Sequence, residues 1–257
     1  MVPTTDAEPM GRAPLPLRAP LGTSLTRSVV VGVDGSTATW LALAWAARHA
    51  SALSAELVVV AVGDERVTRA VVRRRAGMPV RFRRGDLGTL RSLDCATLVL
   101  GRHGEPFHPR TIGAAVLDRS STLVVTRGLS AAMRGEHRVV TAAVGGAGDS
   151  GVLMVAAEIC RALGSRVRLL HLHPDFGGAA ESTTPDDRPL RRAVEFLKVV
   201  APELEPAAVL DRRQPQEAVA APVCDLLVVG RGRDGGLSRI AKTALYHASC
   251  PVLIPSR

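Results

Sequence analysis

Arg27-Ser28-Val29-Val30-Val31-Gly32-Val33-Asp34-Gly35-Ser36 is the stretch on which the fold turns. A β-branched run that is apolar on both faces, ending on Asp-Gly-Ser and passing straight into a helical pattern, reads as a buried parallel strand feeding a helix. That helix is predicted over Thr37 to Leu53, with Leu41, Ala44, Trp45 and Arg48 on one stripe. The pattern returns as Arg138-Val139-Val140-Thr141-Ala142-Ala143-Val144, which leads into Gly145-Gly146 and a second helix from Asp149 to Leu163.

Working outward, the rest of the chain repeats as well. Each helix is followed by an apolar strand, Leu57–Val62 and Val167–Leu172. Each copy later has a strand that stops on Gly-Arg, Thr97 to Arg102 and Leu226 to Arg231, then a short helix and a closing strand, Leu123–Thr126 and Val252–Ile254. The second copy is the longer, mainly between Leu172 and Ala207, where it carries an acidic, Pro-rich loop and a full helix (Pro189–Val200). Apolar strands alternating with helices predict an α/β fold: two tandem Rossmann-like domains, each a five-stranded parallel sheet covered by helices on both faces. The predicted boundaries are a disordered tail at 1–26, domain 1 at 27–128, a linker at 129–136 and domain 2 at 137–257. So short a linker suggests that the copies pack on each other as a pseudo-dimer, with a further homodimer as an open expectation.

Composition narrows the function classes. No apolar run approaches the roughly 20 residues of a membrane helix, and Met1 to Leu25 has five prolines and no apolar core, unlike a signal peptide. The expectation is a soluble, cytoplasmic protein. Cys95, Cys160, Cys224 and Cys250 are scattered, so they read as small buried hydrophobes and no metal site is expected. The net charge is +9, and Arg27 to Gly128 holds fifteen arginines against eight acids. The cluster from Arg66 to Arg84 could attract polyanions, but an aromatic content of 3% argues against stacking single-stranded nucleic acid. It reads instead as a solvated basic face.

Ligands of open parallel sheets bind beyond the carboxyl ends of the strands, where the winding reverses. Two segments of the first copy fall there. In Val33-Asp34-Gly35-Ser36 a carboxylate can accept hydrogen bonds from a base or sugar, while Ser36 also suits a helix N-cap. In Gly101-Arg102-His103-Gly104, followed after eight residues by Gly113-Ala114, glycines would let backbone amides approach phosphate oxygens. An ordinary strand-to-helix loop explains the same glycines equally well. No Walker lysine follows, and no G-x-G-x-x-G opens the first helix.

Val31-Gly32-Val33-Asp34-Gly35-Ser36, Ala42-Leu43-Ala44-Trp45-Ala46 and His247-Ala248-Ser249-Cys250-Pro251-Val252 together resemble the universal stress protein family, over about Arg27 to the C-terminus. The resemblance implies a tandem of adenine nucleotide alpha hydrolase-like domains and a non-enzymatic stress-response role. It also implies an adenine nucleotide, ATP with Mg²⁺, at Val33, Asp34, Gly35, Ser36, Gly101, Arg102, Gly104, Gly113 and Ala114. In that family the Asp contacts adenine, and the glycine loop holds ribose and phosphates. This chain departs from the pattern in having eight loop residues rather than nine, and Ala114 where a Ser or Thr hydroxyl would meet phosphate. The second copy has Gly145 in place of the Asp and a shortened loop at Arg231–Gly236, so it is expected not to bind ATP. Its Arg231, Arg233 and Arg239 read as an exposed basic loop or a small-anion site. A degenerate tandem scaffold that binds protein partners and no nucleotide is the second functional reading. An ATPase is a third, lacking an evident oriented base near Glu105, His103 and His108.

Overall fold

The computed structural model describes residues 28–62, 69, 72, 76–93, 95–101, 121–128, 130–145, 149–173, 186–221, 225–233 and 236–256. The predicted N-terminal tail, most of the basic stretch Arg66–Arg75, and the loop carrying Arg102, Gly104, Gly113 and Ala114 lie outside the described residues.

The first half runs β1 (Ser28–Val33), α1 (Thr37–Ala52), β2 (Glu56–Ala61), β3 (Val80–Arg84), α2 (Leu87–Ser92), β4 (Thr97–Gly101) and β5 (Thr122–Thr126). A short helix, α3 (Ser130–Met133), connects it to the second half. There follow β6 (Val139–Val144), α4 (Asp149–Leu163), β7 (Arg166–Leu172), α5 (Arg188–Val200), β8 (Ala207–Asp211), α6 (Pro215–Ala220), β9 (Leu226–Val228), α7 (Arg239–His247) and β10 (Val252–Ile254).

The ten strands form one sheet in the order β3-β2-β1-β4-β5-β10-β9-β6-β7-β8. Within each half every pairing is parallel. At the centre β5 meets β10 antiparallel, Val124 facing Leu253. Instead of two separate sheets there is thus a single one, because each half pairs its closing strand with the other's and so satisfies an edge that would otherwise expose unpaired amides and carbonyls.

The apolar strands explain themselves through this sheet. Val29, Val31 and Val33 point to one face and Val30 to the other, and all four are buried. The first face is covered by α1, α4 and α5, and its core runs without a break from Leu57 through Val124 to Leu253 and Leu169. On the opposite face Leu90 of α2, Val219 of α6 and Ala241, Ala244 and Leu245 of α7 close over Val58, Val125, Leu227 and Ile254. Cys95, Cys160 and Cys250 are buried, and burial pushes the Cys160 thiol up to about 12, which keeps it protonated and inert.

The predicted stripe of α1 is buried at Trp45 and otherwise out of phase. The buried face is Ala38, Ala42, Trp45, Ala46, His49 and Ala50, whereas Arg48 is exposed and Leu41 and Ala44 are only half-buried. Alanines at four-residue spacing let the helix backbone approach the sheet closely.

Contacts between the halves extend beyond the β5–β10 pairing. Arg127 donates to the carbonyls of Ala244 (3.3 Å) and Leu245 (2.8 Å) in the last turn of α7. In the reverse direction Arg231 donates to the carbonyl of Ser121 at 3.1 Å, and also to that of Pro255 at 2.8 Å. Gly128, at φ +89°, lies so close to Ser249 that a Cβ there would come within 1.8 Å of the Ser249 carbonyl oxygen. Near α3, the Trp45 indole donates to His137 Nε2 at 2.9 Å, and His49 stacks on the same indole with ring centroids 4.6 Å apart. Both imidazoles are buried, and desolvation holds each near 4, so both rings are neutral at neutral pH.

Candidate functional site

In each half the strand order reverses its direction of winding between the first and fourth strands, β1/β4 and β6/β9. Such a reversal is where an open parallel sheet can leave a crevice beyond the strand ends.

In the first half the end of β1 delivers Asp34 to this reversal. Gly35 takes φ +90°, which a side chain would oppose, and so turns the chain into α1. Asp34 Oδ1 accepts from the Ser36 amide at 2.9 Å and from the Thr39 hydroxyl at 2.8 Å. Ser36 is the N-cap of α1, its hydroxyl accepting from the Thr39 amide. Burial raises the Asp34 pKa, but hydrogen bonds from the Ser36 amide and hydroxyl and the Thr39 hydroxyl outweigh it, leaving the value below the ordinary carboxylate range. The result is a fixed carboxylate whose Oδ2 has no hydrogen-bond partner among the described residues. Val33 is a core residue: its side chain is buried, and its carbonyl accepts from the Val62 amide at 2.8 Å.

Gly101 ends β4 beside Asp34 but faces helix backbone. A Cβ at Gly101 would stand 2.8 Å from the Ala38 carbonyl oxygen, so the missing side chain is required by the approach of α1 to the sheet. Of the predicted set, Val33, Asp34, Gly35, Ser36 and Gly101 are brought together where β1 and β4 end. Thr39 belongs with them and was not legible as a site residue, because a threonine in the first helical turn carries no motif.

The equivalent position of the second half is built differently. Gly145 stands where Asp34 does, at φ +125°, and its amide donates to Asp149 Oδ2 at 2.8 Å. In the sheet register Val33 pairs with Ala61, whereas Val144 pairs with His171. His171 Nδ1 lies 2.9 Å from the Val144 carbonyl oxygen, which can only accept, so Nδ1 carries a proton and donates to it. The imidazole fills the space beside Gly145: a Cβ on that glycine would sit 2.7 Å from Nδ1. The polar group has moved from the end of the first strand to the end of its neighbour.

The loop after β9 also differs from a phosphate-cradling loop. The Gly232 amide donates to the Gly236 carbonyl at 2.8 Å and Arg231 bridges to Leu237, which brings the two ends of the loop together. Arg231 is half-buried and not part of an exposed basic loop, since its guanidinium donates to the Ser121 carbonyl across the join and to the Pro255 carbonyl within its own half. Arg233 and Arg239 are exposed. Around these elements lies a cavity of about 510 Å³, bordered by Val144, Gly145, Leu170, His171, Arg239 and Ile240. Among the described residues no group of three or more His, Cys, Asp or Glu side chains could hold a metal ion, and no helix is long and apolar enough to cross a membrane.

Similar solved structures include a universal stress protein from Archaeoglobus fulgidus DSM 4304, 12% identical with a TM-score of 0.64, matched over 90% of this chain and 99% of that one. A functionally unknown protein from Pseudomonas aeruginosa PAO1 matches at 13% identity and a TM-score of 0.60, over 90% of this chain and 92% of that one. The cytoplasmic domain of a prokaryotic cation chloride cotransporter matches at 9% identity and a TM-score of 0.54, over 89% and 95%. The sequence itself matches no family model and no curated protein. The chain therefore has the α/β fold found in universal stress proteins, a fold that also occurs in a transporter's cytoplasmic domain. Fold alone does not assign the activity, which has to be argued from the site.

Proposed function

We propose that this chain is a binding protein of the universal stress protein type, built from units 27–128 and 137–257, whose first crevice takes an adenine nucleotide and which acts through occupancy rather than turnover. The observation that carries this reading is Asp34. It sits at the strand-order reversal, is locked by Ser36 and Thr39 through one oxygen, and keeps the other oxygen as an acceptor for the adenine amino group. ATP with Mg²⁺ is the form proposed, with the phosphates falling to Arg102, Gly104, Gly113 and Ala114. Ala114 offers no hydroxyl, which weakens that end by about 1 kcal/mol or more.

The test is calorimetric titration of the full chain with ATP and Mg²⁺, beside Asp34→Asn. The amide keeps an oxygen for the Ser36 and Thr39 bonds while replacing the free acceptor with a donor. Binding at one site in the parent, weakened tenfold or more in the variant, supports the reading.

One observation favours a second reading, a scaffold that binds protein partners and no nucleotide. Gly101, the described glycine of the phosphate segment, is accounted for by packing against Ala38. Absence of heat and of any thermal shift with ATP in the parent protein would select the scaffold.

A further inference from the structure

The sheet has two outer edges, β3 and β8, and they are protected unequally. Arg81, Arg83 and Arg84 on β3 are exposed, and charged side chains along an edge oppose the addition of another strand. β8 runs Ala207, Ala208, Val209, Leu210 before its one charge, Asp211. Ala207 and Ala208 are exposed, and Asp211 is already held by Arg213 at 2.6 Å.

The pairing with β7 shows which main-chain groups of β8 are open. Asp211 turns its carbonyl inward, accepting from the His173 amide at 2.9 Å just past the end of β7. Main-chain groups alternate sides along a strand, so Val209 and Ala207 face β7 as Asp211 does. Ala208 and Leu210 then present their amides and carbonyls to the outer edge, where they have no partner among the described residues. Unpaired groups on an apolar edge are a template for a further strand.

Charge selects the occupant and its direction. The chain enters β8 past Glu203 and Glu205 and leaves it through Arg212 and Arg213. Glu203 is paired with Arg161, and Arg213 with Asp211. Glu205 and Arg212 are exposed and in no ion pair among the described residues. A second copy laid antiparallel brings the acidic entry of each strand beside the basic exit of the other, whereas a parallel copy would set like charges together. With Val209 facing Val209, Ala208 lies opposite Leu210 of the other copy and every open group is paired. Pro206, which has no amide to give, stays outside that ladder.

We propose that β8 is the interface of a two-fold homodimer, in which two copies pair antiparallel about Val209 and join their sheets. An edge of five residues buries little surface, so the dimer exchanges with monomer.

Sedimentation of the full chain between about 1 and 200 μM should show a monomer–dimer equilibrium in the micromolar range. Ala208→Lys, which puts a charge on the exposed edge, should weaken it about tenfold or more at an unchanged melting temperature. Val209→Cys tests the register. Its two thiols would face each other with Cα atoms about 4.5 Å apart, within reach of a disulfide. Oxidation of the two thiols by diamide should therefore give a covalent dimer. Ala208→Cys, opposite Leu210, should cross-link far less, and the parent chain under the same oxidation is the control. A parent that stays monomeric throughout, an undiminished dimer in Ala208→Lys, or equal cross-linking of the two cysteine variants would each overturn the proposal. So would open-ended assemblies in place of a dimer, which would mean that β8 meets β3 of the next copy.

Discussion

The two halves of this chain share strand order and a common sheet, and one corresponding place separates them most clearly. Beyond β1 stands Asp34 with Ala61 on the neighbouring strand; beyond β6 stands Gly145 with His171. A carboxylate pinned by the first turn of a helix has been exchanged for an imidazole projecting from an adjacent strand. The scaffold accommodates this at the carboxyl ends of the strands, where the sheet gives way to connecting segments that vary most freely. The lesson is that loss of a motif residue need not close the place it occupied. Here the lost carboxylate is accompanied by a differently lined cleft.

The sharpest way to break the comparison is acid, which acts where the halves touch. His49 and His137 are buried neutral against Trp45, with folded values near 4 against an ordinary value of 6.5. Between those values the unfolded chain binds more protons than the folded one. The stabilisation is therefore complete above about pH 6.5 and lost as the pH falls toward 4, by up to about 3 kcal/mol per ring. Thermal melts from pH 7.5 to pH 4 should show this fall. His49→Phe, which preserves the stack, should remove close to half of it; an unchanged pH profile in that variant would place the sensitivity elsewhere.

A smaller effect is expected from making the second half imitate the first. Gly145→Asp puts a side chain at φ +125° and 2.7 Å from the His171 ring, a strain of about 1–3 kcal/mol. It should lower stability in a denaturant titration without creating an ATP site. The double variant with His171→Ala, which mirrors Ala61, should recover the part due to the collision and not the part due to the dihedral angle. If both parts return, the backbone has relaxed and the φ argument fails.

Next comes Asp34→Asn, for which a tenfold or greater loss of ATP affinity corresponds to at least about 1.4 kcal/mol, with little change in melting temperature. Smallest is Arg127→Gln. It removes two donations to carbonyls in the last turn of α7, and because Arg127 is only half-buried the net loss should be about 1 kcal/mol. A modest drop in stability, with ATP binding unaltered, would show that the join and the site are separable.

The strands were legible because they are apolar on both faces, which leaves parallel burial as the natural reading of Val29 to Val33 and Val139 to Val144. The phase of α1 was not. The helix is apolar almost all the way round, so Leu41 and Ala44 looked as buried as Ala42 and Ala46. Only the close fit to the sheet, which favours the smallest side chains, separates them. At the site, Asp34, Gly35 and Ser36 could be read from turn and cap chemistry, whereas Gly101 suggested phosphate and turned out to face Ala38. His171 was missed because a polar residue inside Leu169–Leu172 gains its meaning from the register with Val144, which appears only when the strands are paired. The antiparallel meeting of β5 and β10 was hidden for the same reason.

That meeting has one more consequence. When two identical subunits pair edge to edge, any substitution appears on both sides of the symmetry axis, so a change that helps one site is imposed on the other. Here residues 127–138 tether the partners within one polypeptide. The pairing becomes intramolecular and survives dilution, and each side is free to drift on its own. Asp34 and Gly145 can coexist in one particle only because the symmetry relating them is approximate, and the tether is what permits it to be so.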